Sequence, residues 1–114
     1  MEWLIIGLIV GTLGWFALRR LIGGGASPEE LKAALDAGAT LVDVRSPAEF
    51  QSGTLKGAKN IPMGNPPQGL SKDKPVIVFC RSGARSSNVA RQWTAKGYKV
   101  LDLGPIGAGR KLGL

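Results

Sequence analysis

The sequence predicts an α/β domain with a central parallel sheet flanked by helices, preceded by one transmembrane helix. Three observations predict it. Residues 3–18 form an uncharged apolar run. Beyond it, short apolar strand patterns alternate with helical ones, which implies a parallel sheet covered on both faces. One of those strands, Pro75–Phe79, is apolar throughout, as expected of a strand buried on both sides.

The chain has 114 residues, enough for one small domain beside the apolar run. Hydrophobic residues make up 44% and charged residues 20%, which excludes a disordered chain. There is no histidine and only one cysteine. A Ser-His-Asp triad, a Cys-His dyad, a zinc site of Cys and His ligands and an internal disulfide are therefore all excluded.

Taken in order, Trp3 to Leu18 would span ~24 Å as a helix, slightly less than a ~30 Å hydrocarbon core. Arg19 and Arg20 can snorkel, so Leu21 and Ile22 extend the span to residues 3–22. Trp3, Trp15 and Phe16 lie toward its ends, where aromatic belts form. A signal peptide would carry its positive charge before the run, not after it, and a peripheral helix would have a charged face. The expectation is a single-pass anchor in the cell (inner) membrane. The two arginines place the remainder in the cytoplasm, where a free thiol is at home. Gly7 and Gly11 have the spacing that lets two membrane helices approach, permitting a weak dimer.

Residues 23–26 read as a Gly-rich linker. The domain at 27–114 holds 13 Lys and Arg against 7 Asp and Glu, net +6. That excess suits an anionic leaflet or an anion pocket. The basic residues are scattered among few aromatics, so no nucleic-acid partner is expected.

Ser27-Pro28-Glu29-Glu30 opens a helix with a capping box, and Gly38 ends it. Thr40–Val44 reads as a strand. Ser46-Pro47-Ala48-Glu49 starts a second short helix that ends near Gly53. Asn60–Pro62 reads as a brief strand and Met63–Lys74, with its Gly and Pro, as loop. Then come the strand Pro75–Phe79, a helix over Ser86–Lys96 with Val89, Ala90 and Trp93 on its core side, and a strand over Tyr98–Leu103. The tail Gly104–Leu114, with four glycines and a proline, is expected to be irregular.

Ligands of parallel sheets sit beyond the carboxyl ends of the strands. The single cysteine, Cys80, stands there, followed by Arg81, Ser82, Gly83, Ala84 and Arg85. A tight loop of small residues feeding a helix N-terminus can aim several N–H groups inward, and the helix dipole adds positive potential. With Arg81 and Arg85 beside it, the loop should favour the Cys80 thiolate without imidazole.

Three blocks in this order resemble the rhodanese-like sulfurtransferases: Leu41 to Phe50, Gly53 to Pro62, and Cys80 to Ser86. The resemblance covers roughly residues 28–114. It implies a rhodanese-like fold with a central parallel sheet, no cofactor, and a Cys80 persulfide loaded by a small anionic donor such as thiosulfate. A thiol or protein acceptor would then remove the sulfur. Arg81 to Arg85 would form the substrate loop. Asp43, Arg45 and Glu49 are expected to support it, with Arg45 and Glu49 pairing with each other or with backbone and Asp43 orienting an Arg or a loop N–H. The Cys80–Arg85 spacing is Cys-x4-Arg, one residue shorter than the Cys-x5-Arg of tyrosine and dual-specificity phosphatases, which argues against phosphoryl chemistry. Two departures stand out: Thr54 replaces a usual His, and the tail lacks a Trp-containing helix, so the site edge is expected to be less enclosed. The alternative reading is a membrane-tethered module serving mainly as a protein-binding or regulatory scaffold.

Overall fold

The computed structural model describes residues 25–114. The expected span 3–22, with Gly7 and Gly11, and Gly23 and Gly24 of the linker lie outside those residues. Among the described residues no helix is long and apolar enough to cross a membrane.

The elements run α1 (Pro28–Asp36), β1 (Thr40–Asp43), α2 (Pro47–Ser52), β2 (Lys59–Asn60), β3 (Val76–Cys80), α3 (Ala84–Ala95), β4 (Val100–Pro105) and α4 (Ile106–Lys111). The four strands form one parallel sheet in the order β2-β1-β3-β4. Both capping boxes form as the local spacing dictates. Ser27 Oγ accepts from Glu30 N–H at 3.2 Å, and Ser46 Oγ accepts from Glu49 N–H at 3.3 Å. At the linker end, Ala26 N–H donates to the Asp102 carbonyl at 2.9 Å, tying that residue to β4.

Strand periodicity sorts the core into two layers. Leu41, Ile77, Phe79, Leu101 and Leu103 point to one face, where they pack with Leu31, Leu55 and Ile106. Val42, Val44, Val76, Val78 and Val100 point to the other, against Val89 and Trp93 of α3. Cys80 shares the parity of Val76 and Val78, so its side chain emerges on the α3 face, at the end of the strand where α3 begins. All five residues of β3 are buried, as its apolar run predicts.

Most element boundaries move by one or two residues from the sequence reading, and one element differs. The α3 helix starts at Ala84 rather than Ser86, because Gly83 takes φ +101° and turns the chain into the helix there. The β2 strand is displaced to Lys59–Asn60, and β4 reaches Pro105. The larger correction is the tail, which forms α4 instead of an irregular segment. Two glycines there weaken intrinsic helix propensity, but packing overrides it. Ile106 and Gly109 are buried, and a Cβ on Gly109 would lie 2.6 Å from Leu55 Cδ1 and 2.9 Å from Leu103 Cδ2. A Cβ there would force these buried leucines to shift, so the glycine content that reads as irregular in sequence is what lets the helix dock.

Candidate active site: a sulfur in a helix start

The α3 helix has no side-chain cap from its own N-cap residue, which is Gly83. The sulfur of Cys80 fills that role. Its Sγ accepts from Gly83 N–H at 3.0 Å and from Ser86 N–H at 3.4 Å. Ser86 is the third residue of the helix, whose N–H an N-cap oxygen ordinarily takes. The Cys80 thiol in turn donates to Ser86 Oγ at 3.5 Å, and Ser86 O–H donates to the Gly83 carbonyl at 3.2 Å. Cys80 and Ser86 are both fully buried. The sulfur thus has hydrocarbon from Val42, Val78 and Val89 on one side and a polar cup on the other.

These contacts set the thiol's acidity. Burial pushes the Cys80 pKa up; the Ser86 hydroxyl and the N–H groups of Ser86, Gly83 and Ser82 outweigh it, and the net is below the ordinary thiol value. Once the thiol ionises, Ser86 O–H can turn from the Gly83 carbonyl to the sulfur. Ser86 was not among the residues the sequence singled out. Its signal was its position three residues after the loop glycine, where a helix-start donor belongs.

The loop rim is exposed at Arg81, Ser82 and Ala84. Gly83 sits over the end of β4: a Cβ there would lie 3.7 Å from both Gly104 Cα and Pro105 Cδ. A register shift between Val78 and Phe79 puts Phe79 opposite Gly104 and Cys80 opposite Pro105, bringing that segment beside the loop. The edge expected to be less enclosed is therefore flanked by the end of β4.

Two ion pairs brace this end of the sheet. Asp43 holds an Arg, and Arg45 and Glu49 each meet backbone, as expected. Arg45 does not, however, pair with Glu49. Its Nε and Nη2 donate to the Asp43 carboxylate at 3.0 and 2.7 Å, and Nη2 also donates to the Gly53 carbonyl at 2.6 Å. Arg45 N–H and Thr54 Oγ1 donate to the same carboxylate, each at 2.9 Å. Asp43 and Arg45 are both buried, so the unit fixes the turn from β1 into α2. Thr54, at the position where the family resemblance leads one to expect His, is one of its hydrogen bonds.

Glu49 instead pairs with Arg85, across 36 positions of sequence. Arg85 Nη1 donates to Oε1 at 2.7 Å and Nη2 to Oε2 at 3.1 Å. The reason lies in the capping box: Ser46 N–H donates to Glu49 Oε1 at 3.2 Å and fixes the carboxylate toward α3. The Arg85 contact, then Ser46, holds the Glu49 carboxyl down at about 2. The pair is therefore intact above the usual glutamate pKa of ~4.3 and is lost only as pH falls through about 2. Arg85 thus does not face the sulfur as a free cation. The thiolate is favoured mainly by hydrogen bonds at the helix start, and the full charges expected beside it are secondary.

A parallel sheet delivering a cysteine to an amide-lined helix start defines a thiol site of the α/β class. The chain matches the rhodanese-like domain family over residues 27–104, and it belongs to that family. It is 42% identical over 67 residues to a sulfurtransferase of Allochromatium vinosum, covering 55% of this chain and 63% of that protein. It is 31% identical over 74 residues to the thiosulfate sulfurtransferase GlpE of Stutzerimonas stutzeri, covering 62% of this chain and 68% of that protein. A Bacillus subtilis protein, YqhL, is matched at 41% identity over only 44% of its length. Among solved structures, the human single-domain sulfurtransferase TSTD1 aligns with a TM-score of 0.58 and 29% identity, covering 77% of this chain and 94% of that one.

Replacing Ser86 with Ala removes a donor to the thiolate and should raise the Cys80 pKa, so less thiolate is present at neutral pH. A pH titration of thiolate ultraviolet absorbance checks this; an unchanged or lowered midpoint would contradict it.

Proposed function

We propose that the protein is a sulfurtransferase that carries sulfane sulfur as a persulfide on Cys80. The observation that supports this most is the Cys80 sulfur held by the Gly83 and Ser86 N–H groups at the start of α3. In the first half-reaction the thiolate attacks the sulfane sulfur of the donor. A Cys80–sulfur bond forms, the donor's sulfur–sulfur bond breaks, and the leaving group departs with the electron pair, as sulfite when thiosulfate is the donor. In the second, an acceptor thiolate attacks the outer sulfur of the persulfide and Cys80 leaves as thiolate. Cys80 or its outer sulfur carries a negative charge before and after each half-reaction, where the amides and dipole at the helix start stabilise it. Arg81 and the loop from Ser82 to Arg85 form the mouth that receives donor and acceptor. Because Cys80 is buried at rest, its side chain must turn toward that mouth to react.

We further propose that residues 3–22 anchor the chain in the cell membrane, with the site on the cytoplasmic side. The uncharged run and the arginines that follow it support this.

Intact mass tests the first reading. After incubation with thiosulfate or with a hydropersulfide, the wild type should gain one sulfur atom that excess thiol removes, and Cys80→Ser should gain none. No gain by the wild type with either donor would refute it. For the anchor, the full chain should sediment with membranes through an alkaline carbonate wash, whereas a chain starting at Gly25 should not. Release of the full chain by carbonate would count against the anchor.

A further inference from the structure

We propose that Glu49 sets donor specificity: by holding Arg85 and offsetting its charge, it tunes the mouth toward sulfur donors with a single negative charge, alkyl hydropersulfides, and against dianions such as thiosulfate. This rests on the sulfurtransferase reading of Cys80.

Four full charges gather at the Cys80 end of the sheet, and they cancel in pairs. Asp43 and Arg45 form the buried pair, with N···O at 2.7 Å. Glu49 and Arg85 form the second, also at 2.7 Å, with side chains 31% and 32% exposed. Arg85 directly precedes Ser86, whose N–H donates to the Cys80 sulfur at 3.4 Å, so this second pair stands beside the cup. Its exposure keeps it out of the core. Among the described residues Arg81 makes no ion pair, and it is the one cation of the loop left without a carboxylate.

The Glu49 carboxylate is not free to swing away. It is held at once by two Arg85 nitrogens and by Ser46 N–H and O–H, the latter at 3.1 Å. An incoming dianion meets a thiolate and a fixed carboxylate; Arg81 offers it one cation, and a second comes only by taking Arg85 from Glu49. A hydropersulfide brings one charge less. Its transfer balances without further partners: Cys80 thiolate attacks the outer sulfur of R–S–S−, the new Cys80–sulfur bond forms, and R–S− leaves with the electrons of the broken bond. The N–H groups of the helix start suffice for that charge, and Arg85 can stay paired.

The test compares kcat/KM for thiosulfate and for 2-hydroxyethyl hydropersulfide, whose only charge is on sulfur, in the wild type, Glu49→Gln and Arg85→Gln. Gln at 49 can still accept from Ser46 N–H, which keeps the α2 cap. The wild type should favour the hydropersulfide. Glu49→Gln should shift the ratio toward thiosulfate roughly fivefold, mainly through a lower KM. That is the order expected when one unit charge is removed a few ångströms away in a water-exposed mouth. Arg85→Gln should shift the ratio the other way, and both shifts should shrink as salt rises. A merely structural role would lower the rates with both donors in proportion and leave the ratio in place. An unchanged ratio in Glu49→Gln, or shifts of the same sign in the two variants, overturns the inference while leaving a functional Cys80. Absence of any Cys80 persulfide in the wild type overturns the parent reading and this one together.

Discussion

The structure depends on one contact, the Cys80 sulfur standing in for the missing side-chain cap of α3. A helix leaves its first N–H groups without partners, and they must find acceptors. Ser27 and Ser46 supply hydroxyl oxygens at the starts of α1 and α2, whereas α4, like α3, has no cap from its N-cap side chain. At α3 the N-cap residue is glycine, so the acceptor comes from the end of the preceding strand. A thiolate is a better acceptor than a thiol, and the helix start therefore favours ionisation. In a chain without histidine this replaces the usual partner base. The same contact ties the fold to pH: a depressed thiol pKa adds stability above the unfolded value near ~8.5, and that contribution fades as pH falls through the folded pKa.

Everything around the sulfur serves its placement. Strand parity brings Cys80 to the α3 face, Gly83 provides the left-handed turn, and the register shift in β3–β4 sets Gly104 and Pro105 beside that turn. The Asp43–Arg45–Thr54 unit holds the β1–α2 turn, which carries Glu49 to Arg85. The mouth thereby keeps Arg81 as its one cation without a carboxylate, while the cup beneath it is rich in N–H groups. Attraction of an anion and stabilisation of its sulfur are handled by different groups.

What was legible in the sequence was local. Both helix starts are four-residue patterns, and each formed; the capping box read at Ser27 is present, and Ser46 forms one too. The both-faces-buried strand announced itself as a continuous apolar run, and Trp93 fell in the core as its helical spacing implied. The cysteine loop was legible for the same reason, since loop and helix start are contiguous. What was hidden depends on distant partners. The Glu49–Arg85 pair joins two helices far apart in sequence, while Arg45 found a carboxylate only two residues away. The α4 helix exists because Leu55 and Leu103 leave room for a backbone without a Cβ, which no local pattern in a glycine-rich tail can reveal. Ser86 lay in plain view, but its role required knowing that the helix begins at Ala84.

The most direct measurement of the central claim is the wild-type Cys80 pKa, followed by thiolate absorbance in a chain whose single cysteine leaves no ambiguity of assignment. A midpoint clearly below the ordinary thiol value of ~8.5 is predicted. A midpoint at or above it would mean that burial outweighs the helix start, and that the sulfur is a core side chain, not a nucleophile.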